Sequence, residues 1–401
     1  MRIAFITYEY PPDTGKGGIG TYTFQVSTVL VKNGGDVHVF AGSNHRQCEV
    51  SENGIKIHWI HCSGPHDFAE KVFPVFQSEN AICAFDIMES AEIHGNAIQV
   101  KRNFPEIPLV VRLHAPNWLV ENLKKRYVPF IAKLRYVAGA LKRGKWDTGY
   151  WSKYKIGNDK DYQFCLLADA ISAPSGIMKK WAVKNWKMDP DKIKVIANPF
   201  LTPAAFLEIP VSRIPEHKTI VFFGRLNVLK GMVNASIAMR KILVEFPDYK
   251  FLVIGDDGTG PDGQSMKDWM NRKLKKTGDR VHFLDGMAYD EMPAAIAKSE
   301  IALLPSLFES FSYTCAEAMA AGKAVIGSIN TGMEDMITHK KNGMLIDPES
   351  AVSIYQALKE LIQNNELLYE IRTNARQNWM EYKEAKLANS YIDFYKSVIS
   401  E

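Results

Sequence analysis

No stretch of this chain approaches the roughly 18 consecutive apolar residues that a membrane-spanning helix needs. The first residues, MRIAFITYEYPP, carry one Arg and an apolar stretch too short for the core of a secretory signal, so they read as a first β-strand. Cysteine is scarce. The five cysteines (Cys48, Cys62, Cys83, Cys165, Cys315) are odd in number, widely spaced and free of any Cys-x-x-Cys pair, which excludes a disulfide framework and fits reduced packing thiols in a cytosolic protein. A formal net charge of +4 is too small to argue for a nucleic-acid partner. Internal repeats, low-complexity tracts and Cys/His clusters with metal-ligand spacing are all missing. What remains is an ordinary globular composition, 46% apolar and 23% charged, over 401 residues, enough for two domains with full cores.

Apolar runs recur at 2–7, 37–41, 55–60, 84–88 and 108–113, separated by helix-length segments, and this predicts an α/β layer with a mainly parallel sheet. A loop rich in proline (Pro199, Pro203, Pro210, Pro215) then leads to a second half, which restarts with a strand at Thr219. The most informative stretch is LLPSLFESFSYTCAEAMAAGKAVIGSINTGMEDMITHKKNG, residues 303–343. The apolar run Ile301 to Leu304 is stopped by Pro305; a short loop carries Glu309; a helix starts near Ser312 and closes at Gly322 before the next apolar run. Ligands bind outside the carboxyl ends of parallel strands, so the loop 305–311 and the unpaired N–H groups of the helix start should face an anion, most simply a phosphate. Glu317, with only Ala316, Ala318, Met319 and Ala320 around it, should reach that ligand; a surface Glu that merely favours the helix is the alternative.

This pattern resembles the donor-site signature of glycosyltransferase family 4, which comprises retaining sugar-nucleotide transferases of the GT-B fold. It contains Pro-Ser, two residues, Glu309, seven residues, Glu317-Ala-Met-Ala, then Gly322, a hydrophobic strand and Asn342-Gly343. The resemblance continues over nearly the full length. Tyr10-Pro11-Pro12 is followed by a glycine loop in which Gly17 and Gly18 would lie near the donor diphosphate and the acceptor. Gly224-Arg225-Leu226 to Lys230-Gly231 matches without a gap, and two cations at the end of a strand would offset a diphosphate's charge. His114, after the strand 108–113, would contact the donor sugar near the reacting centre.

The resemblance implies an α/β protein of the GT-B type, with two Rossmann-like domains facing each other across a cleft. Residues 1–200 would form an acceptor-binding domain joined by a returning C-terminal helix, about 380–401, whose Tyr391, Phe394, Tyr395 and Val398 suit docking on the first domain. Residues 201–380 would form the donor domain. Catalysis would fall to Arg225, Lys230, Glu309 and His114. The donor would also meet Ser310, Phe311, Ser312, Tyr313 and Glu317, and the backbone run 282–287, with Leu284 and Met287, would pass along the base. Glu309 would hold the sugar hydroxyls and Glu317 the ribose. Glu89 and His94 are acceptor-side candidates by position alone.

The resemblance implies a nucleoside diphosphate sugar as co-substrate, and since the chain shows no Asp-x-Asp of the kind metal-dependent glycosyltransferases use, neither metal nor cofactor is expected. The acceptor would be a carbohydrate or lipid-linked hydroxyl in cell-envelope polysaccharide or glycolipid synthesis. Two rivals stand beside this reading: a sugar-nucleotide epimerase or hydrolase of the same fold, and a catalytically silent partner subunit. A silent subunit should have lost some of Arg225, Lys230, Glu309 or Glu317, and all four are present. The chain departs from the family pattern at Ser312, commonly Gly; at Thr331-Gly332 and Asp335, commonly Gly-Gly and a later Glu; and at Asn198-Pro199, usually Asn-Gly.

The segment 118–146 is basic and amphipathic. Leu119, Leu123, Tyr127, Phe130, Leu134, Val137 and Leu141 recur at helical steps, Pro129 should split the helix, and eight Lys or Arg stand against the single acid Glu121. It predicts either a helix packed on its own domain or contact with an anionic membrane surface from the cytoplasmic face.

Overall fold

The computed structural model describes residues 1–15, 17–146, 149–151, 153–261, 263–380 and 384–400, with only the backbone for 384–386. The chain forms two compact units, Met1–Asn117 with Lys155–Leu201 and Lys383–Glu401, and Trp118–Tyr154 with Thr202–Tyr382.

The first unit is built on an eight-stranded sheet. Its strands are β1 (Arg2–Thr7), β2 (Asp36–Ser43), β3 (Cys48–Glu52), β4 (Ile55–His61), β5 (Ile87–Ala91), β6 (Leu109–Arg112), β7 (Ala170–Ala173) and β8 (Ile193–Val195), in the order β3-β4-β2-β1-β5-β6-β7-β8. All pairings are parallel except β3 with β4. Every residue of β1, β5, β6 and β7 is buried, which is why these strands read as apolar runs without alternation. The strand β3 left no such trace. Its five residues are all exposed and it forms the sheet edge through backbone pairing with β4. The run 84–88 gives a strand displaced to 87–91, because β5 pairs with β1 at Ile87 and continues through Glu89 and Ser90, polar residues with buried partners.

The second unit has a wholly parallel six-stranded sheet: β9 (Thr219–Phe223), β10 (Lys250–Ile254), β11 (Val281–Leu284), β12 (Ile301–Leu304), β13 (Ala324–Ser328) and β14 (Met344–Ile346), in the order β11-β10-β9-β12-β13-β14. The order reverses direction between β9 and β12. Parallel doubly wound sheets bind ligands at that switch point, and it lies where the loops carrying Arg225, Lys230 and Glu309 emerge.

The C-terminal helical stretch is two helices, Asn365–Met380 in the second unit and Glu384–Ser400 in the first. Tyr391, Phe394, Tyr395 and Val398 of the last helix join the core of Ile3, Phe5, Tyr22 and Val26. The segment 118–154 departs from the division expected at residue 200, because it packs with the second unit. It is two helices, Asn117–Tyr127 and Phe130–Lys142, parted at Pro129. Leu119 and Leu123 are buried, Arg126 pairs with Glu349 at 2.8 Å, and Asn234 donates to the Tyr127 hydroxyl at 3.4 Å.

Candidate functional site

Two loops meet at the switch point of the second unit. Gly231 has a left-handed φ of 73°, and a Cβ there would stand 1.8 Å from the Pro305 carbonyl oxygen, so only glycine permits the β9 loop to lie against the β12 loop. This contact places Lys230 on Glu309. The Lys230 ammonium donates to Glu309 Oε1, whose carboxylate also accepts from Ser306 Oγ at 3.1 Å. The Lys230 backbone is held in turn by Asn227 Oδ1 at 2.9 Å. Arg225, one turn of loop away, is exposed and has no ion pair among the described residues. It lines a cavity of about 640 Å3 with Asn227, Asp257 and Gly258. The segment 118–154 adds Lys124 and Tyr150 to the wall of this cavity, a contribution that sequence distance concealed.

Beyond Glu309 the helix Tyr313–Ala320 begins with Ser312 as its N-cap, the hydroxyl accepting from Cys315 N at 3.2 Å. The Ser that replaces the family's Gly thus satisfies one of the helix's unpaired N–H groups. The replacement at Thr331 is equally free of strain, since its φ of −132° suits any L-residue, and its side chain caps the turn Gly332–Asp335. Gly332 cannot be replaced in the same way. A Cβ there would lie 2.2 Å from the Ser310 carbonyl oxygen, and its N–H donates to the Glu309 carbonyl at 2.7 Å.

Glu317 is buried, which removes the reading of it as a solvent-facing helix former. Burial pushes its carboxyl up to about pH 8, against the opposing pull of the Tyr289 hydroxyl, its hydrogen-bond partner, and of Lys230. Tyr289 was not singled out by the sequence; nothing in its local pattern marks it. Leu284 is exposed and Met287 half-buried, so the strand end 284–287 presents apolar surface at the same edge of the sheet.

In the first unit the glycine loop leads into the helix Gly18–Lys32, with Gly17 at its N-cap in extended conformation. A Cβ on Gly17 would approach Glu9 Oε2 at 3.1 Å, whereas Gly18 has open space around it. His114 follows β6. It is buried against the Tyr22 ring, with centroids 5.2 Å apart, and burial with the neighbouring Arg112 cation holds its imidazole neutral, its pKa lowered to about 3. Its backbone N–H is gripped by both oxygens of the buried Glu92 at 2.9 Å, a positioning contact with no sequence signature beyond an acid after a strand.

Glu89 corrects an expectation. It is not available to an acceptor, because it is buried and accepts hydrogen bonds from the Tyr22 hydroxyl at 2.7 Å and the Tyr395 hydroxyl at 2.8 Å, beside Arg112. The reason is that β5 runs on to Ala91 and pairs with β1 beneath the last helix, so Glu89 lies in mid-strand and points into the core rather than the crevice. Arg112 in turn donates to Asn198 Oδ1 at 2.6 Å, which gives the Asn198-Pro199 turn a structural duty. His94 is exposed, adopts a left-handed φ of 68°, and lines a separate cavity of about 570 Å3 with His66, Glu70, Gln99 and Lys160.

Three groups of acidic or imidazole side chains among the described residues already have partners. Asp-x-Asp triplets do occur, at Asp159–Asp161 and Asp189–Asp191. Asp159 caps the helix Lys160–Cys165 and accepts from Trp186 Nε1 at 3.0 Å, Asp161 accepts from Asn117 N at 2.8 Å, and Asp189 caps the turn that follows it. His38, His58 and Glu79 converge near the start of β2. There Arg2 Nε sits 3.3 Å from His38 Nε2, and His38 Nδ1 lies 2.9 Å from His58 Nε2, a hydrogen-bonded relay with a guanidinium at its end that would repel a cation.

Two doubly wound α/β units, one of them with Lys230 held on Glu309 at its switch point, define a protein of the GT-B class. Residues 16–200 match the family described as Glycosyltransferase Family 4, and residues 207–378 match Glycosyl transferases group 1. The chain belongs to the family 4 type of glycosyltransferases. It is 23% identical to the D-inositol 3-phosphate glycosyltransferase of Corynebacterium diphtheriae, over 98% of this chain and 94% of that one. Among solved structures it resembles sucrose-phosphate synthase from Thermosynechococcus elongatus, with a TM-score of 0.72, 16% identity and coverage of 100% and 99% of the two chains. It also resembles HepE of Anabaena in complex with UDP, with a TM-score of 0.68, 15% identity and coverage of 99% and 100%.

Proposed function

We propose that this glycosyltransferase takes a nucleoside diphosphate sugar as donor and moves the sugar, with retention and without a metal, to a hydroxyl of a carbohydrate or lipid-linked acceptor in cell-envelope polysaccharide or glycolipid synthesis. The observation that carries the reading is the cradle of Arg225, Lys230 and the Ser312-capped helix start around Glu309. A transition state of oxocarbenium character leaves negative charge on the departing diphosphate. Preorganised cations and N–H groups stabilise that charge more than they stabilise the bound ground state. Arg225 is free to fork onto phosphate oxygens. Lys230 is already aimed by Glu309, so its ammonium needs no reorganisation. Glu309 then serves the sugar hydroxyls and Glu317 the ribose. The leaving phosphate, on the face the acceptor approaches, takes the acceptor proton. The UDP complex of one structural relative supports a nucleotide-sugar donor.

A thermal-shift series with UDP, GDP, ADP and their sugars, in EDTA, tests the reading; a ligand at 100 times its Kd adds about 2.7 kcal/mol. Stabilisation by one nucleotide family without metal is the expected result. Activity that vanishes in EDTA and returns with Mg2+ or Mn2+ overturns metal independence, and formation of an epimer or free sugar from donor alone would favour the epimerase or hydrolase.

A further inference from the structure

The helix Phe130–Lys142 has one face committed and one face bare. At 100° per residue, Ala132, Tyr136 and Ala140 fall on one side. Ala132 lines the cavity beside Arg225 and Ala140 is buried, so this side faces the second unit. Phe130, Leu134 and Leu141 fall within about 40° of one another on the opposite side, with Ile131 beside them. These four are 65%, 49%, 50% and 63% exposed, and Trp146, just past the helix end, is 82% exposed. The stripe seen in the sequence is therefore buried in its first half, at Leu119 and Leu123, and largely exposed in its second, where Val137 is half-buried and the Phe130 ring meets the edge of Trp151 at 6.3 Å.

Charge identifies the occupant. Lys133 flanks the bare stripe on one side, Arg135 and Lys142 on the other, and Arg143 and Lys145 follow. None of these five has an ion pair among the described residues, in contrast to Lys124 and Arg126 in the preceding helix, which pair with Glu121 and Glu349. A soluble partner would need an acidic rim around an apolar groove. A bilayer with anionic headgroups supplies both at once: acyl chains for Phe130, Ile131, Leu134 and Leu141, headgroup level for Trp146, and negative charge for the flanking cations.

We infer that the helix Phe130–Lys142 and Trp146 form a membrane-docking ridge for anionic bilayers. The ridge presents the cavity beside Arg225, whose wall shares the same segment, to an acceptor held in the lipid surface. The docking itself does not rest on the donor-site reading, and it can be measured with no donor present.

The test is co-sedimentation of the full chain with vesicles of equimolar phosphatidylglycerol and phosphatidylcholine, and with pure phosphatidylcholine. Binding to the anionic vesicles alone, falling as salt rises, is expected. Each cation near the surface is worth about fivefold in partitioning, so the triple change Lys133→Glu, Arg135→Glu and Lys142→Glu should lower it by roughly 100-fold or more. The double change Phe130→Ser and Leu134→Ser should abolish it at moderate salt. Phe130, Leu134, Arg135 and Lys142 are exposed and Lys133 is half-buried, and an unchanged thermal shift with nucleotide verifies the fold of both variants and keeps a failed donor site distinct from a failed ridge. Equal binding to both vesicle types, or binding to neither, overturns the proposal. So does concentration-dependent dimerisation of the chain without lipid that the Phe130→Ser, Leu134→Ser variant removes, since the face would then be covered by a second copy.

Discussion

Burial holds the Glu317 carboxyl protonated near neutral pH, with its pKa raised to about 8, while the same residue in the unfolded chain ionises near 4.5. A carboxyl whose folded pKa is raised contributes stability below its unfolded pKa and loses it as pH climbs from about 4.5 to 8. At pH 7 Glu317 therefore costs the free protein stability, and Glu317→Gln should raise it by roughly 1–3 kcal/mol in urea unfolding, with the gain shrinking toward pH 5. Glu317→Ala should weaken binding of the bare nucleotide, since the ribose is assigned to it. Glu309→Gln should damage turnover more than nucleotide affinity, and calorimetry with the bare nucleotide distinguishes the two; the reverse order would exchange their roles. Lys230→Ala removes a contact that strengthens as the leaving group gains charge, so turnover should fall by roughly 100-fold or more, as measured by donor consumption with acceptor present.

At the scale of elements, the cradle depends on how loops touch rather than on the strands that bear them. Gly231 against Pro305 and Gly332 against Ser310 are the two close approaches that set the cradle's shape. Each comes from a glycine whose neighbour in sequence (Lys230, Thr331) can vary in chemistry without affecting the approach. The last helix is a second case. It is pinned to β5 by Tyr395 on Glu89, to β6 by the Arg112 guanidinium over the Tyr391 ring at 5.7 Å, and to the chain just past β8 by Tyr391 donating to the Ala197 carbonyl at 2.9 Å. Tyr395→Phe leaves a buried carboxyl oxygen with one partner fewer and should cost about 1–3 kcal/mol. Because this cluster is structural, the acceptor KM should not change; a specific rise in acceptor KM with normal stability would restore Glu89 to the acceptor site.

For the whole molecule, acid is the informative stress. His38 is buried with its pKa lowered to about 3 by burial and the Arg2 guanidinium, and His58 and His114 are lowered as well, chiefly by burial. Each is neutral when folded but protonates near pH 6.5 when unfolded, so its contribution is full above about 6.5 and drains away as pH falls toward the folded pKa. Between pH 7 and pH 5 His38 and His114 should each remove up to about 2 kcal/mol, and His38→Gln should flatten the urea-midpoint profile over that interval.

How much of this was legible beforehand follows from the range of the interactions concerned. The sequence by itself determined the parallel α/β class and pointed to the loops that bring Lys230 onto Glu309 and cap the following helix at Ser312. Buried parallel strands must be apolar on both faces, and the cradle's residues lie within a few positions of a strand end, where local spacing dictates geometry. Only the tertiary structure decided that Glu89 is a core residue, that Glu92 grips the His114 backbone and that Tyr289 meets Glu317. It alone showed that the segment 118–154 packs with the second unit, with one helical stripe half buried and half bare. Those outcomes depend on which element lies over a side chain, and hydrophobic periodicity records that a face is apolar without recording what covers it.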